Sequence, residues 1–142
     1  MAQLQGSQVS GSLIVSQSLQ DSYPMIESVT GSLTAAATIS VPFSASSVFT
    51  LTPNANTQLN FRGAQPGLNK SVVVTGAGST YTITLAADDA LSGSGAGFAT
   101  FNLLAGEYDD TAGTKNFIQV QSAGVTGSTG QQEFWYSISQ PA

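Results

Sequence analysis

Two residue types that carry much of protein chemistry are missing from this chain, which has no cysteine and no histidine. It therefore cannot form disulfides, Ser-His or Cys-His nucleophile pairs, or metal sites with thiolate or imidazole ligands. Charge is also scarce, because three basic and eight acidic residues among 142 give a net charge of -5. Nucleic-acid binding and docking to anionic membranes both need clustered Lys or Arg. The composition therefore argues against a nucleic-acid partner and against a membrane partner.

Long hydrophobic runs are also missing. The longest candidate, residues 33–43, is interrupted by two threonines, a serine and a proline. It is far shorter than the ~20 apolar residues that span a membrane as a helix. The opening, MAQLQGSQVSGS, lacks the basic and apolar regions of a secretory signal. We therefore expect the protein to be made in a cytoplasm and to stay there, or to leave as part of a larger assembly.

Apolar and polar residues alternate along much of the chain, which is the pattern of half-buried β-strands. The clearest case is Tyr81, Ile83 and Leu85, which alternate with Thr82 and Thr84. Because antiparallel sheets commonly bury one face and expose the other, the pattern predicts antiparallel pairing. The predicted core consists of the apolar members of these runs: Ile39, Val41, Phe49, Leu51, Leu59, Phe61, Val73, Tyr81, Ile83, Leu85, Phe101, Leu103, Ile118, Val120, Phe134, Tyr136 and Ile138.

Turn-forming residues separate these runs. Proline and asparagine mark turns at 53–56 and 66–69, and the glycines of 76–79 predict a tight hairpin. The valine run 72–74 predicts a strand that is covered on both faces. No segment favours a helix. The sequence therefore predicts an all-β fold, namely an antiparallel β-sandwich or jelly-roll-like body over residues 31–142.

Residues 1–30 differ from this body, because they are rich in Gln and Ser and have only scattered aliphatic residues. We interpret them as an extended N-terminal arm or one added strand. The arm can add a strand to the edge of a neighbouring subunit, or it can pair within its own chain. Its candidate partner contacts are its apolar residues Val9, Leu13, Ile14, Val15 and Leu19.

A pentad recurs in this region, as Val-Ser-Gly-Ser-Leu at 9–13 and Val-Thr-Gly-Ser-Leu at 29–33. Two copies are too few for a solenoid of stacked repeats. Gly and Ser are common in the chain as a whole. We therefore interpret the pentad as chance or as a shared turn at the entry to a strand.

The acidic residues cluster at Asp88 and Asp89 and again at Glu107, Asp109 and Asp110. Calcium takes such oxygen ligands, but the EF-hand spacing is absent, and Asp is common in turns. We interpret both clusters as structural or solvated and leave calcium binding open. The phosphate-loop and nucleophile-elbow motifs are missing as well. The sequence therefore predicts a protein without catalytic residues or cofactors.

The only tryptophan lies in an aromatic stretch near the end of the chain, Phe134-Trp135-Tyr136. On a strand, Phe134 and Tyr136 point to one face and Trp135 points to the other. One interpretation is simple core packing. The other is that Trp135 contacts a partner, since tryptophan is enriched at interfaces. Trp135 is therefore the sixth candidate partner contact.

The layout of two segments carries a resemblance to a known class of proteins. The first is SSVFTLTPNANTQLNFRGAQPGLNKSVVVTGAGSTYTITL, residues 46–85, and the second is the ending NFIQVQSAGVTGSTGQQEFWYSISQPA. Over residues 33–139 the chain resembles the small β-rich structural proteins of tailed bacteriophages. These include capsid decoration (cement) proteins and tail-fibre modules. The resemblance implies a virion component without catalysis.

The short chain without heptads favours a decoration protein over a fibre module, because fibre modules usually belong to long chains with coiled segments. We expect such a protein to bind the major capsid protein on the outer surface of the virion and to stabilise the shell. We also expect self-association as a homotrimer, with a dimer as the alternative. The alternative function is a tail-fibre or head-fibre module, an adhesin that binds the surface of the host cell.

Overall fold

The computed structural model of the protein describes residues 30–87, 99–126 and 131–142, and in this part of the chain every regular element is a strand. The all-β prediction is therefore confirmed. No helix among these residues has the length and apolarity to cross a membrane. The nine strands are β1 Thr30–Ser32, β2 Thr38–Pro42, β3 Val48–Leu51, β4 Thr57–Arg62, β5 Asn69–Thr75, β6 Ile83–Ala87, β7 Ala99–Ala105, β8 Lys115–Thr126 and β9 Gln131–Ser139.

The first six strands alternate between two sheets. Strands β1, β3 and β5 are neighbours in a six-stranded sheet with the order β1-β3-β5-β8-β9-β7, and β2, β4 and β6 form a three-stranded sheet. Each strand in this part pairs in parallel with the strand two places along the chain. We call β1–β6 the coil, because the chain passes through the two sheets in turn. One winding consists of two consecutive strands, one from each sheet: β1 with β2, β3 with β4, and β5 with β6. Three windings are therefore stacked in the described part of the chain.

The predicted antiparallel pairing is wrong for most of the fold. Five of the seven strand pairings in the described residues are parallel, and only β5 with β8 and β8 with β9 are antiparallel. Alternation shows which face of a strand is buried, but it does not show the direction of the neighbouring strand. The glycine-containing loop at 76–79 is not a hairpin, because it leads from β5 to β6 in the other sheet. A jelly roll, built from antiparallel Greek keys, has a different strand pairing.

One hydrophobic core joins the inner faces of the two sheets. Nine predicted core residues are buried, and Ile83, Leu85, Phe101, Tyr136 and Ile138 are partly buried against them. The buried nine are Ile39, Val41, Phe49, Leu51, Leu59, Phe61, Ile118, Val120 and Phe134.

Three core predictions are wrong. Val73 lies on the outer face of β5 and is only half-buried, because Val72 and Val74 point into the core. Tyr81 is partly exposed in the loop before β6. Leu103 is half exposed, since β7 is the edge strand of its sheet and its register shifts by one residue after Leu103. The core residues that the pattern did not identify are Phe43, Ala64, Val72, Val74 and Ala87.

Four phenylalanine rings tie the two sheets together. Phe101 and Phe134 stack with ring centroids 4.7 Å apart and an angle of 8° between the planes. Phe61 of the three-stranded sheet lies 6.0 Å from Phe101, and Phe43 lies 5.9 Å from Phe61 and 6.4 Å from Phe134. The contacts therefore close a ring of four side chains, and the loss of any one member affects both sheets.

A lysine is among the most deeply buried side chains. Lys70 on β5 is 1% exposed. Its Nζ donates to the carbonyl oxygens of Phe43 and Ala45, at 3.2 and 2.7 Å, and to that of Ser46. The same Nζ lies 5.7 and 5.6 Å from the ring centroids of Phe43 and Phe49. Burial lowers the pKa of Lys70, while the carbonyl oxygens and the faces of the rings favour its charged form. Lys70 thus fastens the β2–β3 connection to β5.

Candidate partner-binding surface

The outer face of the six-stranded sheet carries the exposed tryptophan. Phe134 is fully buried, Tyr136 packs against the core, and Trp135 between them is 47% exposed. The predicted division of this aromatic stretch between two faces is therefore confirmed. Trp135 pairs with Gln121 on β8 and with Asn102 on β7, so it lies within the sheet and not at its margin.

A carboxylate holds the indole in place. Trp135 Nε1 donates to Glu133 Oε1 at 3.0 Å, and Asn102 Nδ2 donates to the same oxygen at 2.9 Å. Glu133 and Trp135 are two residues apart on β9, so their side chains share one face. The ring is therefore oriented before any partner arrives, which lowers the entropy cost of binding through it.

A second exposed apolar side chain lies near the tryptophan. The ladder between β7 and β9 shifts between Leu103 and Ala105, which leaves Leu104 as the extra residue of a β-bulge. Leu104 is 67% exposed and lines the same groove as Trp135. Bulges often direct a side chain away from the regular pleat. The sequence signal for this feature is the pair Leu103-Leu104, which breaks the alternation of β7.

The groove between these two side chains has a volume of about 360 Å³. Its lining includes amides and hydroxyls, with Gln119 and Gln121 from β8 and Asn69 and Ser71 from β5. Lys70 also borders the groove, but its ammonium group is directed into the core. The surface is therefore suited to a neutral, polar or mixed partner, and it offers no cluster of one charge.

The remaining candidate contacts, Val9, Leu13, Ile14, Val15 and Leu19, lie outside the described residues and stay predictions. So does the boundary at residue 30 between an N-terminal arm and a body. Asp88 and Asp89 also lie outside the described residues. Of the six candidate contacts, the structure therefore places only Trp135.

The second acidic cluster forms a structural loop. Asp110 Oδ1 accepts from the backbone N–H of Ala77, and Oδ2 accepts from those of Ser79 and Tyr81, each at 2.9 Å. Tyr108 also donates its hydroxyl to Oδ1 at 2.8 Å. The loop around the carboxylate includes Thr80, a non-glycine residue with a φ of 60°. Asp110 therefore stabilises a backbone conformation that is otherwise unfavourable.

A buried amide anchors this loop to the sheet. Asn116, at the start of β8, is fully buried. Its Oδ1 accepts from the backbone N–H of Asp109, and its Nδ2 donates to the carbonyl oxygen of the same residue. Asp109 in turn accepts from the backbone N–H of Thr111. These carboxylates act as acceptors within turns, and the described residues contain no group of three or more acidic side chains placed to hold a metal ion.

The hydrogen bonds of Asp110 have a consequence for acid stability. Hydrogen bonds lower the pKa of Asp110 from 3.8 to about 2. The bond from the backbone N–H of Ala77 is the largest cause, and the bonds from Tyr108, Tyr81 and Ser79 lower the pKa further. Because the folded-state pKa is depressed, the stabilisation is fully present above the unfolded-state pKa. It is lost as the pH falls from about 4 towards 2.

We expect Asp110→Asn to lower the Tm at pH 7, because an amide nitrogen cannot accept the two backbone hydrogen bonds made by one carboxylate oxygen. The Tm of the variant should also change less than that of the parent protein between pH 5 and pH 2. Thermal melts across this range test both effects. Glu107→Gln, in the same loop, serves as the control, and equal acid profiles for Asp110→Asn and the parent would contradict the assignment.

The outer face around Trp135 and the loop around Asp110 therefore differ in character. The first exposes two apolar side chains beside a groove, and the indole of Trp135 is held in orientation. The second uses its polar atoms within the protein. Among the described residues, Trp135 and Leu104 are thus the best placed to contact another molecule. Comparisons of the chain with models of protein families, with curated proteins and with solved structures find no match.

Proposed function

We propose that the protein is a non-enzymatic structural component of a bacteriophage virion, a decoration or cement protein that binds the outer surface of the major capsid protein shell. The observation that supports this best is the outer face of the six-stranded sheet, where Trp135 and Leu104 are exposed beside neutral amides. Tryptophan supplies much of the binding energy in many protein interfaces. The phage assignment itself depends on the sequence resemblance over residues 33–139.

The physical role of such a protein is to add contacts that exist only on the assembled shell. Binding to the assembled state and not to free subunits stabilises that state by mass action. In this proposal the two sheets serve as a sandwich-like body, and the rigid outer face carries the contact. A homotrimer, with a dimer as the alternative, would present several such faces to equivalent sites and strengthen the attachment through avidity.

A second candidate is a fibre module that binds the host surface, and the same groove favours it. An indole held by Glu133 beside the amides of Gln119 and Gln121 suits a neutral sugar, which has both apolar faces and hydroxyl groups. The two functions differ in copy number. A decoration protein covers the shell in many copies, whereas a fibre is present in few.

The test combines copy number with one substitution. Quantitative mass spectrometry of purified virions is expected to show a fixed ratio to the major capsid protein, on the order of one copy per few subunits. Trp135→Ala should weaken rebinding of purified protein to undecorated shells by about tenfold or more, which corresponds to more than about 1.4 kcal/mol. Gln58→Ala, exposed on the three-stranded sheet, is the control and should bind normally.

The alternative outcomes are distinct. A few copies per virion, together with loss of binding to host cells in Trp135→Ala, would favour the fibre module. Absence from virions would contradict both candidates. Circular dichroism and the Tm of Trp135→Ala must match those of the parent protein, because a folding defect would also abolish binding.

A further inference from the structure

In the part of the chain that the structure describes, the coil has two sheet edges without a neighbouring strand at one end. Among the described residues, β1 pairs only with β3, and β2 pairs only with β4. Both strands belong to the first winding, so their free edges lie side by side at the start of the coil. The unpaired backbone groups of such an edge are a template for another strand.

The length of a winding matches the spacing of the repeated pentad. Thr30 pairs with Val48, eighteen residues later, and Thr38 pairs with Gln58, twenty residues later. The next winding is longer, since Val48 pairs with Ser71, twenty-three residues later, and Thr57 pairs with Ile83, twenty-six residues later. The pentads at 9–13 and 29–33 are twenty residues apart, and β1 occupies the middle three residues of the second copy.

Most residues that lie twenty positions before an inward-facing residue of the first winding are also apolar. Seven hydrophobic residues between β1 and the start of β3 are buried or pack against the core: Leu33, Ala35, Ile39, Val41, Phe43, Ala45 and Phe49, the last of which lies on β3. Twenty residues before them the sequence has Leu13, Val15, Leu19, Asp21, Tyr23, Met25 and Val29. Six of these seven are apolar or aromatic, and Asp21 is the exception.

The outward-facing residues of the first winding also match the residues twenty positions before them, since most members of both sets are small or polar. Seven exposed residues of the first winding are Ser32, Thr34, Ala36, Ala37, Thr38, Ser40 and Ser44. Their counterparts are Ser12, Ile14, Ser16, Gln17, Ser18, Gln20 and Pro24, of which only Ile14 is a large aliphatic residue. A shift of one residue would move every apolar side chain to the other face of a strand, so the agreement on both faces excludes odd shifts, and the spacing of the pentads selects twenty among the even ones.

We propose that residues 9–29 form one further winding of the coil, docked on the free edges of β1 and β2 of the same chain. In this arrangement residues 10–12 pair in parallel with β1, and residues 18–22 pair in parallel with β2. The added winding extends the core by burying its apolar face against Leu33, Ile39 and Phe43. It also moves the open edges of both sheets to the N-terminal side.

The length of the chain supports docking within one molecule. The path from β1 to its neighbour β3 takes eighteen residues in the structure, and the path from the first pentad to the second takes twenty. A segment of this length is therefore long enough to reach the edge without exchange between copies. In this proposal residues 9–29 complete the fold of their own chain. An N-terminal arm, by contrast, would contact a neighbouring subunit.

The absence of cysteine makes a direct test possible. In the proposed register Ser12 lies beside Ser32, which is exposed on β1. The variant with Ser12→Cys and Ser32→Cys is expected to form a disulfide within one chain under mild oxidation, seen as a faster monomer band on a non-reducing gel. The control pairs Ser12→Cys with Ser139→Cys on β9. In the proposed register Ser12 lies one strand beyond β1 and β9 lies four strands from β1 on the other side, so the two residues are roughly 24 Å apart and should not cross-link.

Each outcome for the Ser12–Ser32 pair is informative. A disulfide-linked dimer at low protein concentration would overturn the proposal in favour of an arm exchanged between copies. The absence of a cross-link would overturn it altogether, provided that both thiols react with a maleimide after unfolding.

A second variant tests the register without cysteines. In the proposed register Asp21 is equivalent to the fully buried Val41, so Asp21→Val should raise the Tm by about 3–6 °C through the burial of an apolar side chain. Gln20→Val, at an outward position, should give no gain, and Asp21→Asn controls for the loss of charge. An equal Tm for Asp21→Val and Gln20→Val would contradict the proposed register.

Discussion

Replacement of Phe134 by alanine is expected to lower the free energy of unfolding by about 3–5 kcal/mol. The side chain is fully buried, and its ring stacks on Phe101 at 4.7 Å. Its other ring contact, with Phe43 at 6.4 Å, connects it to the end of β2. The substitution therefore removes apolar surface from the core and opens a cavity between the two sheets, which rigid β-strands cannot easily close.

Urea unfolding at neutral pH measures this loss, and two variants make it specific. Phe134→Leu keeps most of the apolar volume and should lose distinctly less stability than Phe134→Ala. Trp135→Ala changes the next residue on the outer face and should stay within about 1 kcal/mol of the parent protein. Similar losses for Phe134→Ala and Trp135→Ala would show that the two faces of β9 are assigned incorrectly.

The second large effect is expected at Lys70. Lys70→Ala should cost about 3–5 kcal/mol, because it opens a cavity and removes the donor to three carbonyl oxygens of the β2–β3 connection. The cost includes the packing of the aliphatic stem as well as the hydrogen bonds of the ammonium group. Lys70 belongs to β5 in the third winding, so the connection between the first and second windings should loosen when its side chain is lost.

Lys70→Met separates the two contributions. Methionine has a similar length and fills the space, but it donates no hydrogen bond, so we expect a smaller loss of about 1–3 kcal/mol. Hydrogen exchange of the amides in residues 43–47 should become faster in both variants. A methionine variant as stable as the parent protein would show that the desolvation of the ammonium group cancels its hydrogen bonds.

The alternation of apolar and polar residues was sufficient to locate most strands and to identify the buried face of many of them. The alternation at Leu59 and Phe61 and at Ile118 and Val120 identifies the buried face, because a side chain on a strand points away from its two neighbours. The same rule separates Trp135 from Phe134, and this part of the candidate surface could therefore be predicted. The exposure of Leu104 does not follow from this rule. The adjacent Leu103 and Leu104 break the alternation, but the bulge that exposes Leu104 depends on how β7 aligns with β9.

The direction of strand pairing, by contrast, depends on where the chain goes between strands. The segments at 53–56 and 66–69 have the composition of turns in either case, but in the fold they carry the chain from one sheet to the other. Parallel neighbours are then two strands apart in the sequence. No local pattern shows this, because strands of both directions have the same alternation of side chains.

The burial of Lys70 has a similar origin. An isolated Lys-Ser-Val-Val-Val segment gives no reason to place an ammonium group inside the protein, where desolvation opposes it. The carbonyl oxygens that compensate come from Phe43, Ala45 and Ser46, about 25 residues earlier in the chain. Composition and alternation thus set which residues can form strands and which faces are apolar. Strand direction, the bulge at Leu104 and the buried cation follow from contacts between distant segments, whose energies no single segment of the chain contains.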